Sequence, residues 1–327
     1  MRLVTLEEHF TTRTFQKALG GESVLPGRMQ ALNDRLLDIG EGRIRMMNEA
    51  GIAVQVLSFT GFGLYDLPSV VAFEVVRDAN EKIRDAMAAH PGRFGGFATL
   101  AMQDPDHAAR ELEYCVRALG FQGAMVDGTV CGRFLDDPRF TPLFEAATWL
   151  DVPIYLHPAP PPAGVRKAYT DDLQPPFNFL MSTAAWGWHV ETGLHSLRLM
   201  ISGLFDRFPK LKIIVGHMGE NLPYSIVRAN TVLCGAGLKL DRSPLEVFQQ
   251  NFWITTSGYF SIPPMLCARE VIGTDRILLS VDYPFSEMSN GRKMMDDLRS
   301  NFTEAEIEGF ASNNATNLLR LESRIAV

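Results

Sequence analysis

Short apolar runs of strand length alternate along this chain with longer stretches whose apolar residues recur every three to four positions. The strand-like runs are Leu3 to Leu6, then 52–58, 94–100, 122–126, 152–156, 211–215, 252–256 and 276–281. Between them the helical period predicts elements over Arg35 to Ala50, Pro68 to His90, Asp104 to Leu119, Pro142 to Leu150 and Thr183 to Phe208. Further helices are expected from Glu220 onward, over Pro263 to Val271, Thr303 to Phe310 and Ala315 to Leu321. Boundary residues agree with several of these, as where Asp104 precedes Pro105 and where Gly51 follows Ala50. Thr11 to Pro26 is polar and glycine-bearing and reads as a loop over the end of the first strand. Residues 159–178 are proline-rich without apolar period, which is too long for a routine connection and marks a candidate active-site lid.

Eight strands separated by helices predict an α/β fold, a (β/α)8 barrel occupying residues 1–327 as one domain; a doubly wound sheet is the alternative. The barrel carries a specific expectation, since such folds place their chemistry where strands end and loops begin. Glu7 and His9 end the first strand, His157 the fifth, His217 the sixth and Asp282 the eighth, each directly after an apolar run. Residues two apart on a strand share a side, so Glu7 and His9 should project together while Glu8 turns into the barrel wall and needs another partner. In a closed barrel these ends ring one mouth, and imidazoles with carboxylates suit Zn2+ or Mn2+ with an open coordination position. No cysteine stands among them, which disfavours a structural zinc.

Composition narrows the partners. With 327 residues, 46% apolar and 21% charged, the chain can bury a full core. A net charge of -7 from 31 basic and 38 acidic residues, without a basic run, argues against nucleic acid and anionic membrane as partners. Leu173 to Val190 lacks acidic and basic residues but carries Gln, Asn, two prolines and His189, so it does not read as a membrane span. Cys115, Cys131, Cys234 and Cys267 lie far apart and suggest neither a zinc ribbon nor a disulfide framework. Without a signal-peptide pattern at the start, a cytoplasmic location is expected.

Several segments together resemble the one-metal decarboxylase branch of the amidohydrolase superfamily, the group of γ-resorcylate and 2,3-dihydroxybenzoate decarboxylases. They are Leu-Glu-Glu-His-Phe at 6–10, Leu-Gly-Phe-Gln-Gly-Ala at 119–124, Asp-Val-Pro-Ile-Tyr-Leu-His-Pro at 151–158 and Glu-Thr-Gly-Leu-His at 191–195. Ser-Gly-Leu-Phe-Asp at 202–206, Gly-His-Met-Gly-Glu at 216–220, Ile-Thr-Thr-Ser-Gly at 254–258 and Ser-Val-Asp-Tyr-Pro-Phe at 280–285 extend the likeness nearly end to end. The resemblance implies one divalent metal held by Glu7, His9, His157 and Asp282, no organic cofactor, and a small aromatic carboxylic acid as substrate. It further implies release of CO2 and a phenol, in a reversible reaction, with Asp282 as proton donor and His217 and Glu220 as a dyad beside the substrate. Arg228, Trp188 and Phe285 would contact the substrate, and the relatives' assembly into dimers or tetramers implies a homo-oligomer.

Two loops depart from the family pattern, Ala159 to Ala163 after the fifth strand and Ser58 to Gly63 after the second, and both should face the mouth. A hydrolase of the same superfamily, opening a lactone or amide, is the competing expectation. Against it, the first strand offers Glu-x-His where hydrolytic members carry His-x-His, and no bridging lysine follows the fourth strand. His195 and Trp186 read as packing residues, His90 and His107 as surface residues, and His189 as either pocket-lining or inert.

Overall fold

The computed structural model describes residues 1–20 and 27–321. Eight parallel strands pair in chain order: β1 (Leu3–Phe10), β2 (Ile52–Phe59), β3 (Phe94–Thr99), β4 (Gly123–Asp127), β5 (Ile154–His157), β6 (Ile213–Val215), β7 (Phe252–Thr255) and β8 (Ile277–Leu278). A parallel bridge between Leu6 and Ser280, with His9 N–H donating to the Tyr283 carbonyl at 2.7 Å, joins the last strand to the first. The result is the (β/α)8 barrel that the strand–helix alternation predicts.

Two apolar layers hold it. Inside the barrel, Val4, Leu6, Val54, Val56, Phe97, Met125, Tyr155, Ile214 and Leu278 pack together, and Ala315, Leu318 and Leu319 of the last helix join the same layer. Outside, Leu3, Phe10, Leu57, Phe94, Val126, Leu156, Val215 and Ile254 face the surrounding helices. Each such side chain fully removed from water contributes about 1.5–3 kcal/mol. The strands are buried on both faces, which is why they read as continuous apolar runs.

The interior layer exposes a feature that alternation alone does not supply. Val4 and Leu6 point inward, so strict period two would send Glu8 inward next and turn Glu7 and His9 out. Instead the pairing of β1 with β2 slips between Thr5 and Glu8, and Glu7 takes a left-handed backbone with φ 57°. This bulge resets the register and turns Glu7 and His9 into the mouth. Glu8 faces the wall, where its carboxyl accepts from Gln55 Nε2 and the Val281 N–H, both at 3.0 Å.

Several boundaries differ from the sequence reading. The helix expected over 35–50 is two, Gly27–Leu37 and Glu41–Ala50, broken where the Asp38 carboxylate accepts from the Gly40 N–H at 2.9 Å. The segment read as a loop from Thr11 contains the Arg13–Ala18 helix, with Thr12 as N-cap; 21–26 lie outside the described residues. The 183–208 helix is Gly187–Ile201 followed by Leu204–Arg207, divided at Gly203, whose φ of 76° stops the first. Residues 159–178 are not structureless: they carry the exposed Ala163–Tyr169 helix and lead into Phe177–Ser182. Two helices went unread, Pro244–Asn251 and Ser289–Asp297, although Ser243 and Glu246 form a capping box ahead of the first. Among the described residues no helix is long and apolar enough to cross a membrane.

Candidate metal centre

Glu7 and His9 of β1, His157 of β5, His217 after β6 and Asp282 after β8 converge at the mouth. His9 Nε2 lies 3.3 Å from Asp282 Oδ1, and His157 Nε2 lies 3.3 Å from Glu7 Oε1. His217 Nε2 is 3.7 Å from the same Glu7 oxygen and 3.9 Å from Asp282 Oδ2. Ligand atoms from Glu7, His9 and His157 all fall within 4.8 Å of one another, as do those of Glu7, His217 and Asp282.

Glu7, His9 and His157 each have a partner behind them. One oxygen of Glu7, Oε2, accepts from the hydroxyls of Tyr155 and Ser257, with Thr255 Oγ1 3.4 Å away. That leaves Oε1 buried and without a hydrogen-bond partner. Gly216 makes the arrangement possible, because a Cβ there would stand 2.8 Å from Glu7 Oε2. His9 Nδ1 faces Ser58 Oγ at 3.2 Å, its carbonyl accepts from the buried Arg43 guanidinium at 2.6 Å, and its Nε2 is buried and unpartnered. His157 Nδ1 lies 2.9 Å from Asp127 Oδ1, at ion-pair distance but without hydrogen-bond alignment. Two buried donor atoms without partners, aimed at a common point beside a second imidazole and a second carboxylate, fit a divalent ion bound by two nitrogens and two oxygens.

The same close pairings set the charges within the cluster. Burial opposes charge on Glu7, yet His217, His157 and His9 outweigh it and hold the carboxyl well below the usual range. Burial likewise opposes charge on His157, but Asp127 and Glu7 raise it to about 10. His217 is raised well above its ordinary value by Glu220 and Glu7, again against burial. Glu8 goes the other way: burial pushes it up to about 8 in spite of the Val281 N–H and Arg43. Its carboxyl is taken up by the wall, on Gln55 and the Val281 N–H, and not by the cluster.

His217 and Glu220 sit on an unusual turn. His217, Met218, Gly219, Glu220 and Asn221 all have positive φ, between 46° and 81°, so five consecutive residues wind left-handed. Non-glycine residues avoid this region at a cost of about 1–3 kcal/mol each. The turn brings Glu220 Oε1 to 2.7 Å from His217 Nδ1.

Above the donors stand aromatic walls. Phe62 lies 5.9 Å from the His157 ring and stacks on Trp188 at 6.0 Å; Trp188 is 6.2 Å from His217, and Phe285 is 5.7 Å from His9. Arg228, on the Leu222–Gly235 helix, is exposed and takes part in none of the cluster's contacts. Sequence reasoning missed Asp127, Tyr155, Ser257 and Phe62. For Asp127 a signal existed, an acid at the last position of a strand, as for the ligands themselves. His195 is structural as expected, buried and accepting from the Leu135 N–H at 2.8 Å.

A parallel (β/α)8 barrel with a buried histidine–carboxylate ring at the C-terminal ends of its strands defines the class of metal-dependent barrel enzymes. The chain matches the family described as Amidohydrolase over residues 9–321, and it belongs to that family. It is 38% identical to decarboxylase orsB of Emericella nidulans, over 98% of each chain. It is 37% identical to γ-resorcylate decarboxylase of Polaromonas sp. strain JS666, over 97% of this chain and 98% of that one. A crystal structure of dihydroxybenzoic acid decarboxylase from Polaromonas sp. JS666, with manganese and the inhibitor 2-nitroresorcinol, superposes with TM-score 0.88 at 37% identity, covering 98% of this chain and 97% of that one.

Proposed function

We propose that this protein is a metal-dependent, non-oxidative decarboxylase of an ortho-hydroxybenzoate-type aromatic acid, releasing CO2 and a phenol. The observation that carries the reading is the pair of buried, unpartnered donor atoms, Glu7 Oε1 and His9 Nε2, beneath a slot walled by Phe62, Trp188 and Phe285. Glu7, His9, His157 and Asp282 would hold Zn2+ or Mn2+, which supplies a Lewis acid and a template for a carboxylate and its ortho hydroxyl. No organic cofactor is needed.

The chain's own groups do the rest. The aromatic walls fix the plane of the substrate ring and keep water from it. Asp282, whose carboxylate lies between His9 and His217, delivers a proton to the ring carbon that bears the carboxylate. The carbon–carbon bond then breaks, its electron pair restores aromaticity, and CO2 leaves without oxidation or reduction. His217, kept cationic by Glu220, faces Asp282 and passes it a proton for the next turnover, itself regaining one from solvent, so that each cycle consumes one solvent proton.

Asp282→Asn with metal bound should lose activity by at least about a thousandfold, within the range of general acid catalysis. Substantial CO2 release by that variant from 2,6-dihydroxybenzoate would refute the assignment, as would full metal occupancy in His157→Ala. If the wild type released CO2 from no ortho-hydroxybenzoate, the functional reading itself would fall.

Two further expectations belong to the same proposal. Exposed apolar side chains gather on the Phe177–Ser182, Gly187–Ile201 and Leu222–Gly235 helices, including Phe177, Phe179, Val190, Leu194, Tyr224 and Val227, which supports a homo-oligomer. A monomer in sedimentation velocity would refute it. The four cysteines are unpaired, which suits a cytoplasmic location; imaging of the tagged protein outside the cytoplasm would overturn that expectation.

A further inference from the structure

Glu220 carries two histidines. Its Oε1 pairs with His217 Nδ1 at 2.7 Å, and its Oε2 pairs with His189 Nδ1 at 2.6 Å. His189 comes from the Gly187–Ile201 helix and is 3% exposed, too buried to be a surface residue that happens to lie nearby. Its other nitrogen, Nε2, sits 2.9 Å from the Ala184 carbonyl and 3.2 Å from Trp188 Nε1. The imidazole therefore spans from the dyad to the segment that carries an aromatic wall of the slot.

The cluster is not a second metal site, although its three members lie close enough to suggest one. At 2.6 and 2.7 Å a proton occupies each gap between nitrogen and oxygen, and no space remains for an ion. The arrangement is a hydrogen-bonded chain instead.

We propose that His189 is a positioning residue with two separate tasks. Through Nδ1 it fixes the Glu220 carboxylate, and so the orientation of the His217 ring. Through Nε2, which accepts from the Trp188 Nε1–H at 3.2 Å, it seats Trp188, and so the width of the aromatic slot, where Trp188 stacks on Phe62 at 6.0 Å and stands 6.2 Å from His217. The first task bears on turnover and the second on substrate affinity. This inference rests on the decarboxylase reading for its kinetic readout only.

The two tasks separate by substitution, because the amide nitrogen of asparagine overlays the Nδ1 position of histidine, while the amide oxygen of glutamine, an acceptor, reaches the Nε2 position. In His189→Asn the Glu220 bond survives and the Trp188 arm is lost. In His189→Gln the reverse holds. With Mn2+-loaded enzyme and 2,6-dihydroxybenzoate, His189→Asn should raise KM about tenfold with kcat within twofold of wild type, the size expected for one buried hydrogen bond. His189→Gln should lower kcat about tenfold with KM within twofold. A readout independent of turnover accompanies these: in Zn2+-loaded enzyme, which is diamagnetic, the downfield proton resonance of His217 Nδ1–H should stay in place in His189→Asn and move in His189→Gln.

Equal losses in both variants, falling in step with thermal stability, would mean that His189 is packing and would overturn the proposal. So would kinetics and resonance unchanged in both. A wild type without decarboxylase activity would leave the resonance comparison to decide the Glu220 arm, and an unmoved signal in His189→Gln would then overturn it. If the substitutions unfold the chain, Trp188→Phe is compared with wild type by KM; an unchanged KM refutes the role of the Nε2 arm.

Discussion

Tyr155→Phe tests whether the metal centre is made by its ligands alone or by what stands behind them. Tyr155 lies in the barrel interior with no exposure, edge-on to Phe97 at 5.7 Å, and its hydroxyl donates to Glu7 Oε2 and lies 2.8 Å from Thr255 Oγ1. Phenylalanine keeps the ring and its packing and removes one donor from a carboxylate that the structure keeps ionised. A hydrogen bond to a charged acceptor is worth about 1.5–3 kcal/mol net, and Ser257 remains to share the load, which places the loss near the lower end. About 1.5–2 kcal/mol converts to roughly a 10–30-fold weaker metal Kd, a size known for residues behind metal ligands. The assay is competition for Mn2+ against a chromophoric chelator at fixed pH, followed by activity as a function of added Mn2+. At saturating metal kcat should return to within about threefold of wild type. A Kd within twofold of wild type would refute the orienting role of the hydroxyls, and a kcat that stays low at saturating metal would place Tyr155 in the chemistry itself.

Asp127→Ala removes the carboxylate 2.9 Å from His157 Nδ1 and should weaken metal binding about 10–100-fold, with Asp127→Asn retaining more of it; calorimetric titration with Mn2+ gives both values. His195 offers a pH prediction away from the metal. Burial, aided by the charge of Arg198, holds its imidazole down to about 3, against about 6.5 in the unfolded chain. The unfolded state therefore takes up a proton first, so the stabilising difference is intact above pH 6.5 and is lost as pH falls from there toward 3. Linkage gives roughly 2 kcal/mol lost by pH 5 and a ceiling near 5 kcal/mol at pH 3. His195→Gln should flatten urea-denaturation stability between pH 7 and pH 5, and an unchanged slope in that variant would discard the account.

How far the site could be read from the chain follows from which interactions are local. The apolar runs announce the strands because both faces of a barrel strand are buried, and ligand-type residues after those runs announce the mouth. Glu7 and His9 share a side, as their spacing indicates, but the side itself depends on the bulge, and nothing in Val-Thr-Leu-Glu-Glu-His marks Glu7 for a left-handed backbone. Counting inward from Val4 and Leu6 would have chosen Glu8. Asp127 escaped notice because its partner, His157, is on the neighbouring strand 30 positions later and only the barrel brings them together. Tyr155 and Ser257 read as core and loop residues, since a hydroxyl's target is invisible without a third dimension. The helices at Pro244–Asn251 and Ser289–Asp297 are short and their apolar faces narrow, so helical period alone left them among the connections.

The left-handed turn from His217 to Asn221 bears on how this site could be moved or copied. A free pentapeptide of this sequence would spend almost no time in that shape, because four of its five residues are not glycine. The barrel imposes it: Gly193 lets the Glu220 carbonyl come close enough that a Cβ there would stand 2.8 Å from it, and β6 delivers the chain directly into the turn. The spacing of His217 and Glu220 is thus a property of the whole assembly and not of the stretch His-Met-Gly-Glu-Asn. Grafted onto another scaffold, those five letters would relax into an ordinary right-handed turn and the two side chains would part.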